Sequence, residues 1–290
     1  MKSLADSSLK DIALTALAPV IWGSTYIVTS QFLPPDRPFT AALIRTLPAG
    51  LLLVLWMRKM PAMQYCWRLL LLAALNIGFF QALLFVAAYR LPGGMAAVVG
   101  AIQPLMVMFL AWAVDKCQPV AVAVWASVAG IVGMAVLLLS PNSVWNLPGI
   151  VAALLGAGCM AGGAWLTRRW SIPLPVIALT GWQLLLGGLM LVPVAWFADA
   201  PLPHLSRIQW LAYAYLSLAG ALLAYSLWFR GIGRLSPVAV TSLGLLSPLT
   251  AVILGWVFLG QQMTGLSMVG LVMVLGSVVW VQISSRRVKS

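Results

Sequence analysis

Arg45 is the one ionisable residue set well inside an apolar stretch of this chain, about seven residues into the run 38–57. At 1.5 Å per residue that is roughly 10 Å along a helix. A charge at the centre of a membrane-spanning helix costs about 2.5–3.5 kcal/mol on insertion scales, and less toward the interface. Such a residue is expected to face the protein interior. Its planar guanidinium matches a carboxylate in geometry as well as charge, so the chemistry it offers is recognition of an anionic group. The plainer alternative is that it bonds backbone carbonyls or helix ends, or snorkels outward.

The other polar and aromatic residues within apolar stretches extend this reading. Asn76, Phe80 and Gln81 share one stretch, and the four-residue spacing puts Asn76 and Phe80 on one helical face. Thr25, Gln103, Gln183, Thr241 and Ser247 are further polar candidates for lining a cavity. Ser and Thr often bond only their own helix backbone, whereas a buried amide needs several partners. Trp22, Trp165 and Tyr225, with Phe80, could supply an aromatic wall for a planar or hydrophobic substrate. Trp56, Trp67, Trp145, Trp210 and Trp280 read as interfacial anchors.

Catalytic chemistry lacks its parts. Neither HExxH nor GxSxG occurs, the sole histidine, His204, falls in a connection, and the chain has no glutamate. The five acids are Asp6, Asp11, Asp36, Asp115 and Asp199, none well inside a span. Hydrolysis would have neither a general base nor metal ligands, so no enzyme, metal or cofactor is expected. A proton relay through a buried carboxylate is not expected either. Cys66, Cys117 and Cys159 are too few for a disulfide framework.

What must position these residues is a membrane bundle. The chain is 62% hydrophobic and 8% charged, with a mean hydropathy of +1.02, against roughly 25% charged residues in a soluble domain. Pro, Gly and charge divide it into ten apolar segments, near 11–30, 38–57, 68–88, 93–114, 120–139, 147–166, 176–197, 208–229, 236–258 and 264–283. The first is read as a retained helix, because its apolar run continues to Val28 and too little of it precedes the cleavage-like Ala16-Leu17-Ala18. The net charge of +12 does not imply nucleic acid, since the cations fall between apolar segments and form no basic face. With the N-terminus in the cytoplasm, 13 Lys and Arg fall on cytoplasmic segments and only Arg37, Arg90 and Arg207 outside.

A repeat runs through the segments. Arg90-Leu91, Gly100, Pro104-Leu105 and Trp112 recur 144 residues later as Arg234-Leu235, Gly244, Pro248-Leu249 and Trp256. Gln81 corresponds to Tyr225, and Gln103 to Ser247, at the same offset. Gly23 aligns with Gly162 and Ala49-Gly50-Leu51 with Gly187-Gly188-Leu189, so Arg45 falls opposite Gln183 or Trp182. Five helices per half is odd, so the second half, about 147–283, is expected to cross the membrane inverted relative to the first, about 11–140. Pro104 and Pro248 mark expected kinks, while Gly93-Gly94, Gly162-Gly163 and Gly187-Gly188 permit close helix approach.

These residues resemble the drug/metabolite transporter superfamily, in particular its ten-helix family with two EamA domains. Trp22-Gly23-Ser24, Arg45 with Ala49, and the segments around Pro104 and Pro248 carry the resemblance, which covers about 11–283. It departs where many members place glutamate after the fourth and ninth helices, since Cys117 and Gln261 stand there. The resemblance implies an all-α integral membrane protein of the bacterial inner membrane, with both termini cytoplasmic. It implies a secondary exporter of a small metabolite, amino acid, pigment or drug, working by alternating access, and the character of the candidate cavity residues points to a neutral, zwitterionic or aromatic one. An importer, a channel-like facilitator and a non-transporting scaffold are the alternatives. The expected partners are a small-molecule substrate and the lipid bilayer, with no nucleic acid and a second copy of the chain as a further candidate.

Overall fold

The computed structural model describes the backbone of residues 2–90, 99–138, 146–260 and 265–287. Gly93-Gly94, the start of the 93–114 segment, Pro141, Trp145 and Gln261 lie outside the described residues. Among the described residues there is no strand, and the protein is all-α. Its helices are α1 (Lys2–Phe32), α2 (Pro38–Met57), α3 (Cys66–Ala73), α4 (Phe79–Arg90), α5 (Gln103–Asp115), α6 (Ala121–Leu138) and α7 (Leu147–Trp170). They continue with α8 (Val176–Ala198), α9 (Arg207–Ser217), α10 (Ala224–Arg234), α11 (Pro237–Leu243), α12 (Leu246–Leu259) and α13 (Gly265–Arg287). Among the described residues eight helical stretches are long and apolar enough to cross a membrane, and α5 and α6 are shorter apolar helices. Residues such as Trp196 (81% exposed) and Phe197 (86%) cover the outer surface. Large side chains of this kind are stable there only against lipid.

Two helical rods change pitch in the middle. A π-helical turn, Ala74–Gly78, joins α3 to α4, and another, Leu218–Leu223, joins α9 to α10. Each inserts an extra residue per turn and rotates the residues beyond it about the axis. Asn76 and Phe80 both meet α7, Asn76 beside Gly163 and Thr167 and Phe80 beside Gly156. Asn76 sits in the π turn and points toward α7 and α8, where it bonds Thr167 and Gln183, while Phe80 beyond it lines a cavity. The two turns begin 144 residues apart, at Ala74 and Leu218.

Two other rods break. The helical backbone at residues 99–100 gives way to a turn before α5, and Gly244–Leu245 separates α11 from α12. Pro104 and Pro248 lie just beyond the two breaks. A proline has no N–H to bond four residues back, and its ring crowds that carbonyl, so the preceding turn opens. The N-cap of α11 is Ser236, whose hydroxyl accepts from Ala239 N at 3.2 Å.

Glycines set the packing. α2 lies along α8, and α6 along α13. A Cβ on Gly50 would collide with the backbone of Leu185, and one on Gly188 would lie 2.9 Å from Leu47 Cα. The seam is thus close on both sides, as small residues allow. Gly133 and Gly270 act likewise, Gly133 against Met273 and Val274, Gly270 against Leu137. Around these pairs α1 packs on α10 and α12, and α7 packs on α4 and α5.

Candidate functional site

Between these helices lies a cavity of about 830 Å³. α1 contributes Trp22, Thr25 and Tyr26, α2 Arg45, α4 Phe80 and Gln81, α7 Gly156, Ala157 and Met160, and α10 Tyr225 and Trp228. Both helix breaks reach it, through Gly100, Ala101 and Gln103 on one side and Gly244, Leu245, Ser247 and Pro248 on the other, with Thr241 nearby. The cavity continues past Leu33 to Asp36 in the α1–α2 connection, so it opens toward that end of the bundle.

Nine of the residues singled out from sequence line this space: Trp22, Thr25, Arg45, Phe80, Gln81, Gln103, Tyr225, Thr241 and Ser247. Asn76, Gln183 and Trp165 do not. Asn76 Nδ2 donates to Gln183 Oε1 at 2.7 Å and to Thr167 Oγ1 at 3.3 Å, so this fully buried pair ties α8 to the π turn below α4. Trp165 donates from Nε1 to Asp115 Oδ2 at 2.6 Å, with the Arg169 guanidinium 5.3 Å from its ring. It closes an end of the bundle instead of lining its middle. Tyr26, Trp228 and the α7 residues Gly156, Ala157 and Met160 line the cavity without having been singled out. Helical spacing from Trp22 to Tyr26 and from Tyr225 to Trp228 carried a signal for the first two. Small and apolar α7 residues carry none.

Arg45 is 5% exposed, and its Nη2 donates to the Gly220 carbonyl at 3.1 Å. Trp22 Nε1 donates to the same oxygen at 2.9 Å. Gly220 is third in the Leu218–Leu223 π turn, the place that Asn76 holds in Ala74–Gly78. The two positions therefore carry one kind of link between helices in two chemistries. At Asn76 a side-chain amide fills the space and meets Gln183. At Gly220 there is no side chain, and the buried carbonyl takes both Arg45 and Trp22 as donors. A Cβ on Gly220 would lie 3.6 Å from Arg45 Nε and Nη2.

The aromatic wall is continuous. The Trp22 ring centroid lies 4.9 Å from that of Tyr225 and 5.2 Å from that of Trp228, and Tyr225 stacks on Phe229 at 5.9 Å. Gln81 Nε2 donates to the Tyr225 hydroxyl at 2.7 Å, a bond between residues 144 apart. Five polar atoms of this wall are buried without a hydrogen-bond partner among the described residues: Arg45 Nε, Trp228 Nε1, Gln103 Nε2, Thr25 Oγ1 and Gln81 Oε1. Buried polar groups usually have partners; these atoms lie just behind the cavity surface, and Asn76 Oδ1 and Gln183 Nε2 away from the cavity are left the same way.

The opposite end of the bundle is tied shut. Asp11 Oδ1 accepts from Arg230 Nη2 at 2.6 Å and from Arg234 Nη1 at 3.4 Å, joining α1 to α10. Arg168 on α7 donates to the Ile232 carbonyl at 3.4 Å and to that of Leu235. Asp115 pairs with Arg169, joining α5 to α7. At the open end Arg37 bonds the Pro35 and Pro201 carbonyls, and Asp199 Oδ2 accepts from Thr40 N at 2.5 Å. Those contacts link α2 to the end of α8 and do not cross the cavity mouth.

Comparison with known proteins places this architecture. The model of the EamA-like transporter family matches the chain twice, over residues 9–139 and 147–283. Protein PecM of Dickeya dadantii is 45% identical over 287 residues, which cover 97% of this chain and 95% of PecM. The uncharacterized inner membrane transporter YedA of Escherichia coli K12 is 27% identical over 272 residues, covering 90% of this chain and 87% of YedA. A solved crystal structure with 18% identity aligns over 97% of this chain and 99% of its own, with a TM-score of 0.77, and shares the fold.

Proposed function

Since the chain belongs to the EamA-like transporter family, we propose that it is a secondary transporter of the bacterial inner membrane that exports a small molecule by alternating access. Its ten spans form two inverted halves, 11–140 and 147–283, with both termini in the cytoplasm. The observation that carries this reading is the cavity of about 830 Å³ bounded by helices of both halves. A scaffold has no need of such a space, and a filled bundle would have favoured one.

Internal pairing supports the inverted arrangement. In this reading α1 packs on α10 and α12 as α7 packs on α4 and α5, while α2 with α8 and α6 with α13 are self-equivalent pairs. The π turns, the breaks before Pro104 and Pro248, and the Gln81–Tyr225 bond all recur or meet near the 144 offset. A bond between equivalent residues is what a two-fold axis through the cavity would place on itself. Discontinuous helices beside a central site are the usual device for binding within a membrane bundle.

The mouth near Asp36 and the closure at Asp11, Arg230 and Asp115 describe an outward-open state in this topology. Alternating access then requires those ion pairs to part while the Asp36 end closes. No carboxylate lies deep in the cavity among the described residues, and Asp36 stands at its mouth. Facilitated or exchange transport fits better than proton coupling. The test is an untargeted comparison of external metabolites from cells with and without the protein, then flux in vesicles of purified protein. At least one compound should accumulate outside only when the protein is present and cross the vesicles through it. No difference outside and no flux in vesicles would overturn the reading.

A further inference from the structure

We infer that the cavity takes a small planar monoanion, an aromatic carboxylate in preference to an amine or a zwitterion. This rests on the transporter reading and names the substrate class of the same site.

The argument is a balance of donors and acceptors. Arg45 Nε and Trp228 Nε1 are buried without partners among the described residues, and both groups can only donate. Arg45 brings a full positive charge that no carboxylate beside it offsets among the described residues; its described hydrogen bond goes to the neutral Gly220 carbonyl. Among the described residues lining the cavity, Asp36 is the sole acid, and it stands at the mouth. An ammonium group inside would find amide and hydroxyl oxygens but no carboxylate, and would feel the Arg45 charge as well. A carboxylate would meet the guanidinium in a charge-assisted bond, the strong kind in a low-dielectric site.

The rest of the wall sets the shape. Trp22, Tyr225 and Trp228 form a run of rings at centroid spacings of 4.9 and 5.2 Å. Tyr225 and Trp228, each 1% exposed, pack behind Trp22 at tilts of 56° and leave its ring as the main aromatic surface toward the cavity. By itself that ring would also suit a cation, and Arg45 decides against that. The two halves of the bundle point the same way. Asn76 Nδ2 bonds Gln183 Oε1 in one place and Arg45 Nη2 bonds the Gly220 carbonyl in the other; both pairs leave polar atoms without partners among the described residues, but only the second brings a charge. The chain keeps a costly buried charge only on the side that faces the cavity.

The experiment uses purified full-length protein and four probes of similar size: benzoate, benzamide, benzylamine and phenylalanine, all at neutral pH. Binding is read by calorimetry, with tryptophan fluorescence as a second readout. Benzoate should bind at least about tenfold more tightly than benzamide, the size expected of a charge-assisted over a neutral hydrogen bond. Benzylamine and phenylalanine should bind more weakly than benzoate. Arg45→Gln should bring benzoate down to benzamide, and Arg45→Lys should restore part of the difference. If Arg45→Gln fails to fold, the ranking on the unmodified protein still decides. Equal or tighter binding of benzylamine or phenylalanine overturns the proposal, as does failure of benzoate to bind. A protein that ranks the probes as expected but moves nothing across vesicles overturns the transport reading and leaves the site. One that exports an amine does the reverse.

Discussion

Gly50 and Gly220 both lack a side chain, and the surroundings make the lack matter differently. At Gly50 a Cβ would run into the Leu185 backbone, which no rotamer change relieves. Gly50→Ala should therefore force α2 off α8 and cost about 1–3 kcal/mol, the usual range for overpacking, read as a lower melting temperature in detergent. At Gly220 the nearest atoms are the flexible Arg45 guanidinium at 3.6 Å, an ordinary contact. Gly220→Ala should leave the melting temperature unchanged or slightly raised, because alanine loses less backbone freedom on folding. Equal destabilisation by the two variants would contradict this difference between the seam and the cavity. The candidate residues divide along the same line. Trp22, Arg45 and Gln81 were readable as polar or aromatic groups inside apolar segments. Trp165 was readable as deep but not as an end tie, because hydropathy reports depth and not which neighbour a ring meets.

At the scale of elements, the breaks before α5 and α12 arise from Pro104 and Pro248, which were legible as kinks. If the breaks let the walls of the cavity move, Pro104→Ala and Pro248→Ala should slow export while thermal stability holds or rises, since each restores a backbone donor. Undiminished export with both prolines replaced would show that the breaks have no part in the cycle. The π turns were not legible. Ala74–Gly78 and Leu218–Leu223 read as ordinary apolar helix, and nothing in those side chains demands an extra residue per turn. Asn76 was expected to line the cavity and instead bonds Gln183 and Thr167.

For the whole molecule, the expected cycle turns on its two ends. In a variant without native cysteines, Met160→Cys in the cavity should react with an impermeant maleimide from outside the cell only. Adding Asp11→Asn and Asp115→Asn removes the acids that hold α1 to α10 and α5 to α7. Labelling from the cytoplasmic side should then appear. Labelling of the parent from the inside alone would reverse the assigned orientation. A pH gradient by itself should drive no accumulation in vesicles, because Asp11 and Asp115 are both engaged in ion pairs away from the cavity. Steady accumulation under that gradient would contradict an uncoupled cycle.

The sequence by itself determined that this is an apolar, all-helical membrane protein with one deep arginine and a repeated pattern. Those properties reside in composition and spacing, which survive without knowing any contact. Only the tertiary structure decided which polar groups satisfy one another and which do not. Asn76 bonds Gln183 and Thr167, Trp165 goes to Asp115, and Arg45 bonds the Gly220 carbonyl in the cavity wall. The physical reason is that a buried side chain's role depends on its partners. Partners come from helices far apart in the chain, rotated by π turns and proline breaks that local hydropathy does not register.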